Sequence, residues 1–421
     1  MANQAPSRQF LPRHAETAVR EALADTRVVV ITGPRQAGKS TLARLVLAGD
    51  SQAKQLTLDD QLTLNAARSD PVGFVRHPGT MLVDEVQRAP ELFLAIKAAV
   101  DRQNRPGQFL LTGSAQALSV PNLADALVGR MELVTLWPLS QGELNARKER
   151  FIHQLAEGNF SSNSSALTRS DYLDLAVAGG YPEAVLRPSR RARSRWFDSY
   201  LATMVGREVK NLVEIERLSE LPRILRLLAA RAATILNLQD LSNDAQIPST
   251  TLRRYLALLE TTFMIQRIPG WATSRTTRVL KAPKLVMVDS GLAAHLTDVG
   301  PGSFDRPGAN PGPVLENFVL MELRKQLGWS DVRADLRHFR TKEGVEVDAV
   351  VEFADGRVAG VEVKSGATVR ADDFKGLRLL ATKAGPMFTC GVVLHSGSDA
   401  ASFGEKLWAL PISHLWQPPD R

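Results

Sequence analysis

The stretch from Val28 to Thr41 constrains this chain more than any other. Val28-Val-Val-Ile is an apolar run that ends in Thr32-Gly33. Pro34-Arg-Gln-Ala follows, then Gly38-Lys39-Ser40-Thr41, and a helical pattern of Leu42, Leu45 and Val46 comes next. Strand, glycine loop and helix stand in the order a phosphate-binding loop requires. Such a loop turns its backbone N–H groups toward the α- and β-phosphates, and the helix N-terminus adds partial positive charge. The expected binding set is Gly33, Pro34, Arg35, Gln36, Ala37, Gly38, Lys39, Ser40 and Thr41. Lys39 is placed to reach the β- and γ-phosphates and the Ser40 hydroxyl to ligate Mg²⁺. ATP and Mg²⁺ are therefore the expected ligands.

The chemistry that accompanies such a loop is found downstream. Met81-Leu-Val-Asp84-Glu85 is an apolar run ending in two carboxylates, about 45 residues after Lys39. Asp84 is expected to hold Mg²⁺ and Glu85 to act as general base on the attacking water. Another apolar strand ends in Thr112-Gly113-Ser114. Ser114, or Thr112, is placed there to sense the γ-phosphate. Arg130, just before the strand Glu132–Trp137, is a candidate for stabilising transition-state charge, in cis or from a neighbouring subunit. Arg13 could reach the nucleotide or be a solvated charge. Alternation of strands and helices around these motifs implies a parallel sheet with helices on both faces.

At 421 residues the chain is too long for one ordinary core. Polar residues 158–165 and the Gly/Pro-rich residues 300–313 mark boundaries. They predict three domains, at 1–160, 166–300 and 312–421. No apolar run approaches the length that spans a bilayer. The N-terminus lacks a basic stretch followed by an apolar one, and the single cysteine, Cys390, fits a reducing compartment. A cytoplasmic protein with no membrane contact is expected. The formal net charge of +7 permits a phosphate-rich partner without requiring one.

The middle third reads as helical from Arg169 to Leu238, broken at Gly179-Gly180-Tyr181-Pro182, with a basic run from Arg187 to Arg195. A short helix to Gln246, a turn at Ile247-Pro248-Ser249-Thr250 and a second helix follow. Strands at 263–268 and 284–288 then flank a loop carrying Arg275, Arg278 and Lys281. Helix, turn, helix, hairpin is the winged-helix order. In DNA binders the second helix, here with Arg253 and Arg254, enters the major groove while the basic wing touches phosphate. Winged helices also dock proteins.

The last third carries a helical Glu316, a strand with Asp348, a turn at Asp355-Gly356 and a return strand with Glu362 and Lys364. Asp348 faces Glu362 only if paired positions sum to about 710. A two-residue turn gives about 711, so a three-residue loop or a bulge is required. Glu316, Asp348, Glu362 and Lys364 make a nuclease-like constellation. Two carboxylates bind Mg²⁺, which activates water, and the lysine positions the nucleophile. The competing reading is an exposed, salt-bridged hairpin.

Taken together, these stretches resemble the bacterial and archaeal AAA+ ATPases that carry a C-terminal DUF4143-type domain. The resemblance lies in Thr32–Thr41, Leu82-Val-Asp-Glu-Val-Gln-Arg, Leu111-Thr-Gly-Ser, and Gly129-Arg-Met-Glu-Leu followed by Pro138-Leu-Ser. It continues in Gly179-Gly-Tyr-Pro, Lys281–Leu292, Glu346-Val-Asp348 and Glu362-Val-Lys364. It implies an α/β chain with an AAA+ parallel-sheet core, a winged-helix region and a small restriction-endonuclease-like, PD-(D/E)xK-type C-terminal domain. Family roles fall on Lys39, Ser40, Asp84 and Glu85, then on Ser114 and Arg130. Ala37 departs from the valine frequent in relatives. The function expected is an ATP-hydrolysing motor, a homo-oligomer, that remodels DNA. Branched DNA (a fork or Holliday junction) enters by analogy with ring-forming motors. Alternatives are an ATP-controlled metal-dependent nuclease and a nucleotide-switched protein scaffold.

Overall fold

Runs of β-branched and leucine residues that are apolar at every position must be buried on both faces, and a parallel sheet buries them so. In the computed structural model, which describes residues 11–113, 127–209, 218–300, 302–305 and 309–417, five strands, of which the three central ones are largely such runs, form the first sheet. They are β1 (Val28–Thr32), β2 (Lys54–Thr57), β3 (Met81–Asp84), β4 (Phe109–Thr112) and β5 (Met131–Thr135), in the order β2-β3-β4-β1-β5. All pairs are parallel. β1, β3 and β4 are buried throughout, whereas the edge strands β2 and β5 are partly exposed. Every carboxyl end therefore faces one edge, where the ends of β1, β3 and β4 gather. Gly33 makes the exit from β1 possible. Its φ is +141°, and a Cβ there would stand 2.1 Å from the Leu136 carbonyl oxygen, while Leu136 N–H donates to Thr32 O at 2.8 Å.

The middle of the chain forms helix Leu221–Ala230, β6 (Thr234–Ile235), helices Leu238–Ala245 and Ser249–Thr261, β7 (Ile265–Ile268) and β8 (Lys284–Met287). β8 lies between β6 and β7, antiparallel to both. β6 falls at the end of a stretch whose sequence reads as helical; two residues are too few to show a strand period.

The basic loop between β7 and β8 departs from expectation. Residues Arg275–Leu280 form a short helix, and two of the loop's cations, Arg278 and Lys281, are bound to the C-terminal part of the chain. Arg278 pairs with Glu352 at 2.6 Å and lies over the Trp271 ring. Lys281 Nζ donates to Arg340 O at 2.5 Å and lies over Phe339. Trp271 and Phe339 are both buried, so each charge is drawn to an aromatic face at the seam. Arg278 and Lys281 are thus not the free phosphate contacts the sequence suggested. The side chain of Arg275 lies outside the described ones.

The C-terminal sheet is mixed. β9 (Ala334–Arg340), β10 (Glu346–Phe353) and β11 (Val358–Lys364) are antiparallel, and β12 (Phe388–His395) and β14 (Leu407–Pro411) continue parallel to β11. A two-residue β13 (Ala401–Ser402) pairs antiparallel with β14 and closes the edge. Helix Gly312–Gln326 covers one face through Leu315, Phe318 and Val319; helix Lys375–Ala384 covers the other through Leu377 and Leu380. The first of these helices is buried nearly all round. Its Asn317 brackets Met287 of β8, accepting from N–H at 2.8 Å and donating to the carbonyl at 3.1 Å. No helix among the described residues is long and apolar enough to cross a membrane.

Two quoted motifs meet in this interior. Gly180 N–H donates to Asp289 Oδ2 at 2.7 Å, and Leu292 N–H to Asp289 Oδ1 at 2.8 Å. A Cβ on Gly180 would stand 2.2 Å from the Leu139 carbonyl oxygen. The Gly-Gly-Tyr-Pro motif, read as a helix break, is therefore also a packing requirement.

Candidate nucleotide site and buried carboxylate cluster

Because β4 lies between β1 and β3, the ends of three strands converge beside the loop 33–41. Lys39, only 6% exposed, curls back to donate from Nζ to the carbonyls of Gly33 (3.1 Å) and Pro34 (2.9 Å). Ser40 Oγ donates to Asp84 Oδ1 at 2.7 Å, and Thr112 Oγ1 donates to the same oxygen. Thr112 Oγ1 in turn accepts from Glu85 N–H at 3.2 Å. Ser40 and Asp84 thus present hard oxygen donors side by side, the donor type Mg²⁺ takes.

Glu85 has left-handed backbone angles, φ 60° and ψ 42°, a conformation uncommon for a residue with a side chain and typical of functional turns. Its Oε2 accepts from Gln87 Nε2. Burial pushes its carboxyl above the ordinary value, with the Lys39 charge acting against that shift. Gln87 was not anticipated.

Ser114 lies outside the described residues; Thr112 is the strand-end hydroxyl seen at the acids. Arg130 precedes β5, so it stands at the sheet edge opposite the loop. Five strand residues at about 3.3 Å each put it roughly 16 Å away. It is held there by Asp101, at 2.5 Å from Nε and 2.9 Å from Nη2. Action in cis is thereby corrected, and only contact with a neighbouring subunit's nucleotide remains open to Arg130. Arg13 is a buttress. It donates to Ala37 O and Trp137 O, both at 2.6 Å, and to Glu143 Oε1 at 3.1 Å.

From Arg13 a buried polar network runs into the C-terminal region. Glu143 Oε2 accepts from Ser140 N–H at 3.0 Å, and Ser140 Oγ donates to Glu149 Oε2 at 2.6 Å. Glu322 Oε2 accepts from Gln141 N–H at 2.9 Å. Burial, then the Glu322 charge, push Glu149 up to about 9. The folded chain then holds a proton on Glu149 that the unfolded chain releases near the ordinary value of 4.5. Stability from this group falls as pH rises from about 5 to 9, with a slope of at most about 1.4 kcal/mol per pH unit. Glu149→Gln, which mimics the neutral acid, should flatten that slope. Urea unfolding at pH 6, 7.5 and 9 checks it; parallel curves for variant and parent would refute the assignment.

At the C-terminal sheet the register matches the requirement. Ala349 pairs with Val361 and Glu352 with Val358, and Phe353 N–H donates to Arg357 O across residues 354–356, a three-residue loop. Asp348 and Glu362 therefore share a face. Asp348 Oδ2 accepts from Val363 N–H at 2.9 Å, and Lys364 Nζ donates to Glu362 Oε1 at 3.0 Å. Glu316 joins them, but so do two residues to which the sequence reading gave no part in the cluster. Lys284 Nζ stands 2.5 Å from Glu316, 2.8 Å from Glu346 and 3.1 Å from Asp348. Its side chain is 0% exposed. Burial would depress the lysine, yet the three carboxylates together hold it above its ordinary value. Burial, then the Asp348 charge, raise Glu316, and raise Glu362 to about 8. The overlooked signal was the charge itself: a lysine heading the apolar strand Lys-Leu-Val-Met needs buried partners.

On the middle region, Arg253 and Arg254 are exposed on helix Ser249–Thr261.

Comparison with known proteins places these features in order along the chain. Residues 25–145 match the AAA domain family. Residues 169–303 match a domain of unknown function, DUF8612, and residues 311–415 another, DUF4143. Uncharacterized proteins of Mycobacterium tuberculosis and Mycobacterium bovis are each 30% identical over 362 residues, 85% of this chain and 74% of theirs. Among solved structures, the Walker-type ATPase of Pyrococcus abyssi is similar over 70% of this chain and 99% of its own, at 15% identity and a TM-score of 0.42.

Proposed function

The chain belongs to the family of AAA+ ATPases that carry a C-terminal DUF4143 domain, and from that premise we propose that it is an ATP-hydrolysing motor that binds and remodels DNA. The observation that carries the motor is the convergence of Ser40, Asp84, Glu85 and Thr112 at one strand edge beside Lys39. Residues 33–41 bind the triphosphate, with Lys39 exchanging the Gly33 and Pro34 carbonyls for phosphate oxygens. Ser40 and Asp84 would hold Mg²⁺, which neutralises phosphate charge when bound. Glu85, raised by burial, orients the water and accepts its proton. In a homo-oligomer, Arg130 leaves Asp101 for the nucleotide of the next subunit.

The load is argued from the middle region. Its helix, strand, helix, helix, strand, strand order supports a winged helix, and Arg253 and Arg254 on the third of these helices, Ser249–Thr261, supply two exposed positive charges. The working units are residues 1–160, 166–300 and 312–421, with nucleotide turnover in the first moving the other two on DNA. Branched DNA is the substrate we favour. ATPase rates with forked, four-way, duplex and single-stranded DNA test this. Stimulation greatest with branched DNA is expected, and equal rates with and without every DNA would remove the DNA half of the proposal. The pair Arg253→Glu and Arg254→Glu should weaken DNA binding at least about tenfold and reduce the salt slope by about two.

One observation favours a second reading. Because Arg278 and Lys281 bind the C-terminal sheet, the wing is already engaged with protein. A nucleotide-switched scaffold would use the middle region so. DNA-independent hydrolysis without DNA binding at low salt would select it.

A further inference from the structure

The pattern Asp348, Glu362-Val-Lys364 and a helical Glu316 implies a divalent cation of the kind metal-dependent nucleases hold. The donors are near enough: oxygens of Glu316, Glu346 and Asp348 all lie within 4.8 Å of one another. They do not, however, fit a metal, because their common centre already contains a cation. Lys284 Nζ is within 3.1 Å of all three. A divalent ion needs those same oxygens at about 2.0–2.6 Å, so ion and ammonium would have to share one centre.

Two further facts decide whether this lysine is a removable plug or a fixture. β8 is the middle strand of its sheet, and Lys284 is paired through its backbone register with Ile268 on one side and Ile235 on the other. Withdrawing the side chain by more than a rotamer means unzipping both ladders. The neighbouring cations are engaged as well: Lys364 Nζ stands 3.0 Å from Glu362 and 3.8 Å from Asp373, and Arg340 stands 3.1 Å from Glu346.

We infer that Lys284 is the permanent resident cation of this cluster, so that the C-terminal domain binds no catalytic metal and cuts no DNA, and the nuclease-like carboxylates instead clamp β8 to the C-terminal sheet. The lysine comes from the middle region and the acids from helix Gly312–Gln326 and β10. The clamp thus joins two parts of the chain that a nuclease would not need to join. This inference rests on the geometry around Lys284 alone and stands whether or not the chain moves DNA.

Mn²⁺ binding to the nucleotide-free full-length protein, followed by the loss of its free-ion paramagnetic resonance signal, provides the test. The parent and Asp348→Asn should bind the same number of ions. One additional Mn²⁺ in the parent, held with Kd below about 10⁻⁴ M and lost in Asp348→Asn, would overturn the inference. A second measurement runs in the opposite direction. Lys284→Met leaves the acids without their partner, so its Tm should be lowered and should recover by several degrees on addition of Mn²⁺. The recovery should vanish in Lys284→Met/Asp348→Asn, while the parent does not respond. A folded Lys284→Met indifferent to Mn²⁺ would show that the centre is no cation site and would also overturn the claim. If that variant does not fold, the comparison of parent with Asp348→Asn decides alone. Linear DNA incubated with the parent and Mn²⁺ should stay intact.

Discussion

Replacing Glu85 by glutamine is expected to slow ATP hydrolysis about 10²–10⁴-fold while leaving ATP affinity within about threefold. The amide keeps the size of the side chain and can still accept from Gln87 Nε2. It does not disturb Lys39, Ser40 or Asp84, on which grip of the triphosphate depends. What it loses is the ability to take a proton from water. That ability is favoured in the parent because burial raises the carboxyl above its ordinary value, the Lys39 ammonium opposing the shift. Single-turnover hydrolysis and equilibrium binding of a fluorescent ATP analogue separate the two effects. A rate within threefold of the parent would mean that Glu85 merely shapes the left-handed turn after β3, and that the base lies elsewhere. Lys39→Met should lose rate and affinity together, because Lys39 meets the nucleotide before and during reaction.

What the sequence made legible, and what it did not, follows from distance along the chain. The phosphate loop is contiguous, and Asp84-Glu85 ends an unmistakably apolar strand, so both could be read locally. The hairpin register was legible too, because a turn fixes pairing by arithmetic. Lys284 was not, since its partner Asp348 lies 64 residues away. Nor was the bond from Gln141 to Glu322, which spans 181 residues. No local period encodes such pairs; only the packing of helix Gly312–Gln326 against three parts of the chain creates them. Arg130 shows a subtler limit. Its residue type and neighbourhood were noticed, but its edge of the sheet is set by the parallel pairing of β5 with β1. Arg278 and Lys281 failed for a different reason: a basic loop looks the same in sequence whether it faces solvent or lies across buried tryptophan and phenylalanine rings.

Lys325→Met should destabilise the folded chain by about 3–5 kcal/mol, the largest stability effect expected of a single substitution in the polar network. Lys325 Nζ donates to Glu322 Oε1 at 2.6 Å and to Leu139 O at 2.9 Å, and neither side chain is more than 6% exposed. Methionine fills nearly the same volume, so little packing is lost. It leaves the Glu322 carboxylate buried without its counter-ion, beside a Glu149 already held neutral by burial and by that same charge. The cost is therefore that of stranding a charge rather than of losing a contact. The double variant Glu322→Gln/Lys325→Met separates the two. With the charge removed as well, the Gln141 N–H keeps an acceptor in the amide oxygen, and most of the stability should return. Urea unfolding of the parent, both single variants and the double variant gives the coupling. If Lys325→Met costs under 1 kcal/mol, or if the double variant is as unstable as Lys325→Met, water reaches this seam and the pair is an ordinary surface bridge. A large coupling would instead mean that the loop after β5 and the central C-terminal helix unfold as one. Arg13 would then tie the phosphate loop, through Ala37 and Glu143, to a rigid strut that reaches the far sheet.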